Sequence, residues 1–398
     1  MVLSHFIKVG FDINLSLDDL GCHFGTFTTL VSKFAFAAPP TIASNDRQQI
    51  EQTLNDYIQG TSYSTPKQID RAFAPQANLY LTRKDTPHWI VPATTYRDWF
   101  ESKELGKFTG RIGEIISIDI EGDVAAAKVE VIMPQRKARF ADLMLLKKLD
   151  GQWKIISKTA SSKASNQHGK RILFIVSSHD FHGDSKMRAG TSFSELVNAY
   201  DEFKNAGYTV DFMSPDGGAI SLAYIDTSKP IHKKYVYDEQ FMNALEYTKP
   251  PSEITAKNYR AVHYVGGSNA MYGVHDNAEI AKITMEIYEK HNGIVSSVCH
   301  GTAGIADLKT QDGKYLVSGK KISGYPTAFE NTKAKYYKNF PFDMTHRLKQ
   351  HGANFKVGAQ GKPFMVKDGR VITGQNYASS SLVAKEIIAT LAQLDSHN

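Results

Sequence analysis

The chain has 398 residues, 41% of them apolar and 22% charged, which allows two or three domains with sizeable cores and excludes global disorder. Its net charge of +6 is spread along the chain, with no run of interleaved basic and aromatic residues, so a nucleic-acid stripe is not indicated. The two cysteines, Cys22 and Cys299, are too few and too distant for a disulfide framework or a CxxC zinc pattern.

The tail, residues 1–43, carries mixed signals. Residues 24–38 are apolar and end in Ala35-Phe36-Ala37, a small-x-small cleavage pattern. Against export, Lys33 interrupts the run, and Asp12, Asp18 and Asp19 precede it where a basic flank is usual. A later start would need a non-AUG codon, because no methionine occurs between Met1 and Met133. The balance leans slightly to an exported or periplasmic protein over a cytoplasmic one. No segment approaches the uninterrupted apolar length of a membrane-spanning helix.

A first folded unit is expected over residues 44–162. Asn45 or Asp46 can cap a helix whose apolar stripe is Ile50, Leu54, Tyr57 and Ile58, with Gly60 closing it. Thr65-Pro66-Lys67-Gln68 reads as a capping box with proline at the first helical position, turning Ile69 and Phe73 inward. A third short helix around 95–101 presents Tyr96, Trp99 and Phe100. Strand-like runs follow at 115–120, 124–133, 140–149 and 152–159, with Gly122-Asp123 and Asp150-Gly151 at tight turns. Helices followed by an antiparallel meander make an α+β order.

This order, with the phrases Tyr57-Ile58-Gln59-Gly60, Ala72-Phe73-Ala74-Pro75, residues 118–125 and the Asp-Gly-x-Trp-Lys-Ile core within 145–158, resembles the SnoaL-like, nuclear-transport-factor-2-like fold in its putative lumazine-binding branch. The resemblance implies a cone of helix and sheet that holds a small-molecule pocket in some relatives and serves as a dimer scaffold in others. Asp142, Tyr80 and His88 are the polar candidates for such a pocket, set against the commoner fate of a solvated or structurally bonded side chain.

Residues 163–169 are small, polar and without periodicity, which reads as a linker. The second unit, residues 170–398, reads as a flavodoxin-like α/β domain with a doubly wound parallel sheet. The run 171–177 is almost wholly apolar, as a strand buried on both faces requires. A helix at 192–207 leads to a strand at 208–213, and further strands at 261–265 and 293–298 are separated by helix-length segments. Ligands bind beyond the carboxyl ends of such strands, where Asp216-Gly217-Gly218, Gly266-Gly267 and Cys299 all fall.

Val298-Cys299-His300-Gly301, between an apolar strand and a run of small residues, has the grammar of a nucleophile elbow. A cysteine at the start of a new helix is expected to have a lowered pKa through the helix dipole. The bland alternative is an inert core thiol. Adjacent residues on a helix do not face each other, so Cys299 and His300 can pair only if the elbow backbone is strained.

The phrases at 190–195, 214–218, 298–301, 324–330, 368–369 and 373–376 are similar to those of the DJ-1/PfpI superfamily of glutamine-amidotransferase-like proteins, and most to its glyoxalase III branch. The resemblance implies Cys299 as nucleophile, His300 as its acid/base, Glu330 as the carboxylate orienting that histidine, and Glu195 as an acid bonded to the thiolate. Gly267, with His300, would supply the oxyanion hole. It departs from the branch at Ser268 to Gly273 after the glycine pair, at Thr302 after Cys-His-Gly, and at Tyr377 after Gly-Gln-Asn. Residues 219–253 read as a lid, with Tyr224, Tyr235 and Tyr237 available to line the site.

The resemblance implies a glutathione-independent lyase, with no cofactor or metal, that converts a small 2-oxoaldehyde such as methylglyoxal to a 2-hydroxy acid. The alternatives are a Cys-His-Glu peptidase, amidohydrolase or protein deglycase, and a holding chaperone or redox-stress protein without turnover. A homo-oligomer, most simply a dimer, is expected, with no nucleic-acid partner.

Overall fold

The computed structural model describes residues 42–83, 85–101 and 103–396, so the tail with Cys22 and the cleavage pattern lies outside the described residues. Helix α1 (Ile42–Ser62) buries Ile50, Leu54, Tyr57 and Ile58 as the stripe predicts, but it starts before Asn45 and runs past Gly60. Asp46 does not cap it; its carboxylate accepts from Lys148 Nζ at 2.6 Å and Trp153 Nε1 at 3.0 Å. Gly60 serves close packing instead, since a Cβ there would lie 2.8 Å from Ile69 Cγ1. Helix α2 (Pro66–Ala72) has its proline in the first turn, yet no capping box forms because the Thr65 hydroxyl donates to the Tyr63 carbonyl at 3.3 Å. Helix α3 (Ala93–Glu101) buries Tyr96 and Phe100.

The sheet of this half has six strands: β1 (Phe73–Arg83), β2 (Thr86–Pro92), β3 (Ile112–Glu121), β4 (Val124–Met133), β5 (Ala138–Leu149) and β6 (Gln152–Ala164), in the order β2-β1-β6-β5-β4-β3. The hairpin β1–β2 is absent from the sequence reading. Pro75, Pro87 and Pro92 disguise it, and they are tolerated because β2 is an edge, the pairing of β1 with β2 begins at Asn78, and Pro75 falls in the irregular stretch between Phe73 and Asn78 of its pairing with β6. β1 also runs parallel to β6, so the sheet is not a pure meander. Alternation along β5 places Met144 and Leu146 in the core with Leu54, Tyr57, Val129 and Ile155, and leaves Leu143 and Leu145 exposed on the other face. Tyr80 and His88 stack on each other at the surface, 6.0 Å apart, whereas Asp142 is buried inside. The three proposed pocket residues therefore do not meet.

Residues 163–169 are not a loose connector. β6 continues to Ala164, Gln167 Nε2 donates to Glu130 Oε1 at 2.7 Å, and the His168 ring meets Tyr208 edge-on at 4.4 Å. Polar composition hid these bonds, which hold the segment to both halves. Strand β7 (Arg171–Ile175) then starts with an ion-pair bridge: Arg171 Nε lies 2.6 Å from Asp211 of the second half, and its Nη2 lies 3.2 Å from Glu114 of the first. Residues 44–398 form a single compact unit.

The second sheet has the order Met365–Asp368, Val371–Gly374, Ile294–Val298, Tyr259–Tyr264, β7, Thr209–Met213. All neighbours are parallel except the first pair. Alternate strand residues enter two cores. Leu173, Val262 and Val295 pack with Ile280, Ile283 and Ile287 of the helix Ala278–Glu289. Ile172, Phe174 and Ile294 pack with Leu196 and Phe203 of helix α4 (Phe193–Asn205) and with Ile387 of the helix Ser380–Ser396. This is the doubly wound layering that the apolar strands predict. No helix among the described residues is long and apolar enough to cross a membrane.

Candidate active site

Strand Ile294–Val298 is wholly buried, and the chain leaves its carboxyl end through Cys299 at φ 57°. A non-glycine residue in that left-handed region costs about 1 kcal/mol or more, so the surroundings must enforce it. The enforcement is steric. A Cβ at Gly301 would lie 2.4 Å from the Tyr264 carbonyl, and one at Gly266 would lie 2.8 Å from Cys299 Cβ. Buried Thr302 bonds Ser297 Oγ at 2.8 Å and the Ser323 carbonyl at 3.2 Å, so this departure from the branch pattern ties the elbow to the next loop.

The strained backbone brings adjacent side chains together. Cys299 Sγ lies 3.5 Å from His300 Nδ1, and His300 Nε2 lies 2.6 Å from Glu330 Oε1. Glu330 also accepts from the Tyr336 hydroxyl at 2.9 Å through its other oxygen. A carboxylate accepting from Nε2–H leaves Nδ1 of the neutral imidazole with its lone pair toward sulfur. The backbone N–H of His300 also points to the thiol.

Glu195, in the first turn of α4, is buried against the sulfur and accepts from the Gly266 N–H at 2.9 Å. A Cβ at Gly266 would lie on its carboxylate, so glycine is required there. Burial pushes the Glu195 carboxyl up to about 8, so at neutral pH it holds a proton that it can donate to Cys299. The lowered thiol pKa expected from a helix dipole is not what the site provides. A short 3-10 turn, Cys299–Ile305, follows the cysteine, and burial first, with Glu195 second, pushes the thiol well above its usual value. The thiol is thus activated when a base takes its proton during attack, and is not stored as a thiolate.

Gly267, at φ 115°, follows Gly266 beside the elbow, where Ser192 N–H donates to the Gly266 carbonyl at 3.0 Å. Asn269, one of the branch departures, is buried and donates to the His179 carbonyl and the Thr191 hydroxyl, both at 3.2 Å, so its amide ties the turn after the glycine pair to its neighbours. Tyr377 is exposed. Of the three lid tyrosines, Tyr235 is core and bonds Asp201 at 2.7 Å, and Tyr237 is exposed. Tyr224, held at φ 62° and itself exposed, comes only within electrostatic reach of Cys299, Glu195 and Glu330. Desolvation of its phenol, then those charges, raise the phenol pKa.

Sequence reasoning did not reach the aromatic wall. Tyr325 and Phe340 lie 5.0 Å and 5.4 Å from the His300 ring, Tyr336 supports Glu330, and buried His182, whose pKa is lowered first by burial, lies 5.9 Å from the Tyr336 ring. The aromatic density of Tyr336-Tyr337-x-x-Phe340 was the available signal. Among the described residues, no group of three or more His, Cys, Asp or Glu side chains is arranged to hold a metal ion.

The curated glutathione-independent glyoxalase hsp3102 of Schizosaccharomyces pombe is 28% identical over 237 residues, spanning 56% of this chain and 98% of the relative. The glutathione-independent glyoxalase HSP31 of Saccharomyces cerevisiae is 27% identical over 242 residues, 56% of this chain and 98% of the relative. The solved structure of Rapid Encystment Protein 24 KDa from Francisella tularensis, 26% identical, superimposes with a TM-score of 0.52 over 56% of this chain and 99% of that one. Residues 45–161 match the putative lumazine-binding family. Residues 187–390, the part that carries the strained cysteine and its partners, match the DJ-1/PfpI family, and the chain belongs to that family.

Proposed function

We propose that the protein is a glutathione-independent glyoxalase that converts a small 2-oxoaldehyde to a 2-hydroxy acid. The observation that carries the reading is the continuous line of Cys299, His300 and Glu330, with contacts of 3.5 Å and 2.6 Å. Cys299 Sγ adds to the aldehyde carbon while its proton passes to His300 Nδ1, and the new alkoxide is reprotonated to a hemithioacetal. His300 then removes the proton from the former aldehyde carbon, giving an enediol, and a proton is returned at the neighbouring carbon. The result is a thioester, which water hydrolyses to the 2-hydroxy acid and the free thiol. Overall the 2-oxoaldehyde gains one water, its ketone being reduced as its aldehyde is oxidised. Protonated Glu195 and the backbone N–H groups of His300 and Gly267 are the donors assigned to sulfur and to the developing oxyanion. A thiol only 8% exposed behind aromatic side chains favours a small aldehyde over a polypeptide, and so this reading over the peptidase.

The test is formation of 2-hydroxy acid from methylglyoxal without glutathione. Wild type should turn over, and Cys299→Ala should lose activity by about a thousandfold or more. Activity surviving in Cys299→Ala rules the mechanism out.

The exposed Tyr80, Ile90, Leu143 and Leu145 on the N-terminal sheet lead us to propose a homodimer through that face. Sedimentation should show Leu143→Glu/Leu145→Glu as a smaller species than wild type. Export remains our proposal from the tail sequence, tested by N-terminal sequencing of the mature protein.

A further inference from the structure

The lid segment is tied to the turn that carries Glu195, and one of its residues is bent against its own preference. Leu222–Ala223 pairs in parallel with Thr191–Ser192, and Thr191 in turn bridges to Gly267. The glycine pair, the residues leading into α4 and the lid therefore lie side by side at the thiol site. Tyr224 follows Ala223 directly, at φ 62°. A tyrosine in the left-handed region is strained by about 1 kcal/mol or more and persists only where its neighbours over-determine it. Its side chain is 70% exposed, so core packing does not account for the strain.

His232 supplies a second hold, on the far side of the bend. It is wholly buried in the helix Pro230–Val236, edge-on to Phe193 at 5.2 Å. Its Nδ1 accepts from the Asp226 backbone N–H at 3.0 Å, and that donor fixes the neutral ring with its hydrogen on Nε2. Nε2 then donates to the hydroxyl of Ser194, the residue before Glu195, at 2.9 Å. The Asp226 carboxylate closes its own turn by accepting from the Ser228 N–H at 3.1 Å and its hydroxyl at 2.6 Å. The bend at Tyr224 is thus pinned from both sides.

We propose that Tyr224 is a specificity-determining residue at the mouth of the thiol site, covering the substituent on the ketone carbon of the substrate, and that His232 is the positioning residue that holds it there. With a 2-oxoaldehyde as substrate, the reading on which this assignment rests, the aldehyde end must enter first because Cys299 is buried. The ketone substituent is then left facing the opening, where the exposed ring stands. The phenol lies within the fields of Cys299, Glu195 and Glu330, in keeping with that place. A ring there favours a large apolar substituent over a methyl group, because it adds aromatic contact to the area covered. His232 acts through Asp226 and Ser194.

The full chain and its Tyr224→Ala, His232→Asn and His232→Gln variants are compared on methylglyoxal and phenylglyoxal without glutathione. Tyr224→Ala should lower the phenylglyoxal-to-methylglyoxal ratio of kcat/KM about threefold to tenfold, through KM more than kcat. Asparagine keeps an acceptor where Nδ1 stands, and glutamine keeps a donor where Nε2 stands. His232→Gln should therefore reproduce the Tyr224→Ala loss, whereas His232→Asn should keep the ratio within about twofold of wild type. A purely structural histidine predicts lower melting temperatures for both variants with the ratio unmoved. Alkylation of the Cys299 peptide by iodoacetamide and by phenacyl bromide, followed by mass spectrometry, makes the same comparison without turnover. If neither aldehyde is turned over but the phenacyl preference falls in Tyr224→Ala and His232→Gln, the glyoxalase reading fails and the anchored rim stands. A preference unchanged in Tyr224→Ala, or equal in the two His232 variants, overturns the assignment.

Discussion

Replacing Glu195 by Gln should expose the proton that the thiol site stores. The carboxyl is buried beside Cys299 and is lifted from an ordinary 4.5 to about 8. In the unfolded chain it ionises near 4.5, so between that pH and about 8 only the folded protein keeps the proton. Stability from this group is complete below 4.5 and is lost as pH rises through about 8. At about 1.4 kcal/mol for each tenfold difference in proton affinity, the full loss is about 5 kcal/mol. Glutamine keeps the shape, can still accept from the Gly266 N–H and does not titrate. Urea unfolding of both proteins from pH 5 to pH 8 should therefore show wild type losing about 4 kcal/mol relative to Glu195→Gln. Iodoacetamide labelling gives a second readout. Above pH 8 the ionised wild-type carboxylate opposes the thiolate, so the apparent thiol pKa should be lower in Glu195→Gln. A stability difference that stays flat with pH, together with identical labelling profiles, would falsify the stored proton.

Further outcomes are open to measurement. Tyr336→Phe removes the hydroxyl that holds Glu330 Oε2 at 2.9 Å, and should lower kcat about threefold to tenfold with KM little changed. Glu330→Gln should lower turnover with a smaller effect on the alkylation profile than Glu195→Gln, because Glu330 bonds His300 and Tyr336 and reaches the sulfur only through its field; indistinguishable profiles would refute the two roles. Burial opposes the charge on Asp211, but Arg171 and Lys249 overcome it and hold the carboxylate far below its usual range, so this contribution is present at neutral pH and lost in acid. Arg171→Met should cost about 3 kcal/mol at pH 7 by urea unfolding, and the deficit should shrink as pH falls below about 4. A chain beginning near His168 should fold and keep its thiol labelling, because Arg171 retains Asp211 at 2.6 Å; failure to fold would mean the two halves form one cooperative unit.

Periodicity alone determined much of the fold. The stripe Ile50, Leu54, Tyr57, Ile58 and the doubly apolar strand at Arg171 bury the residues they predict, because helix and strand spacing dictates which side chains share a face. A strand end followed by small residues likewise marked Cys299 and His300 as a sharp elbow, whereas Glu330 and Glu195 came from the family resemblance, because no local pattern links residues so distant in sequence. The hairpin β1–β2 was hidden because an edge strand tolerates the prolines that argue against a strand. The direction of the Cys299 pKa also needed tertiary structure. Sequence supplies a local turn and its dipole, whereas burial and the approach of Glu195 from another helix set the larger effect. The tie that His232 makes between Asp226 and Ser194 joins segments distant in sequence, and no local pattern marks it. Sequence determines what each segment can bury; long-range packing decides which charges share one dielectric, and so which protons and ligands the site will hold.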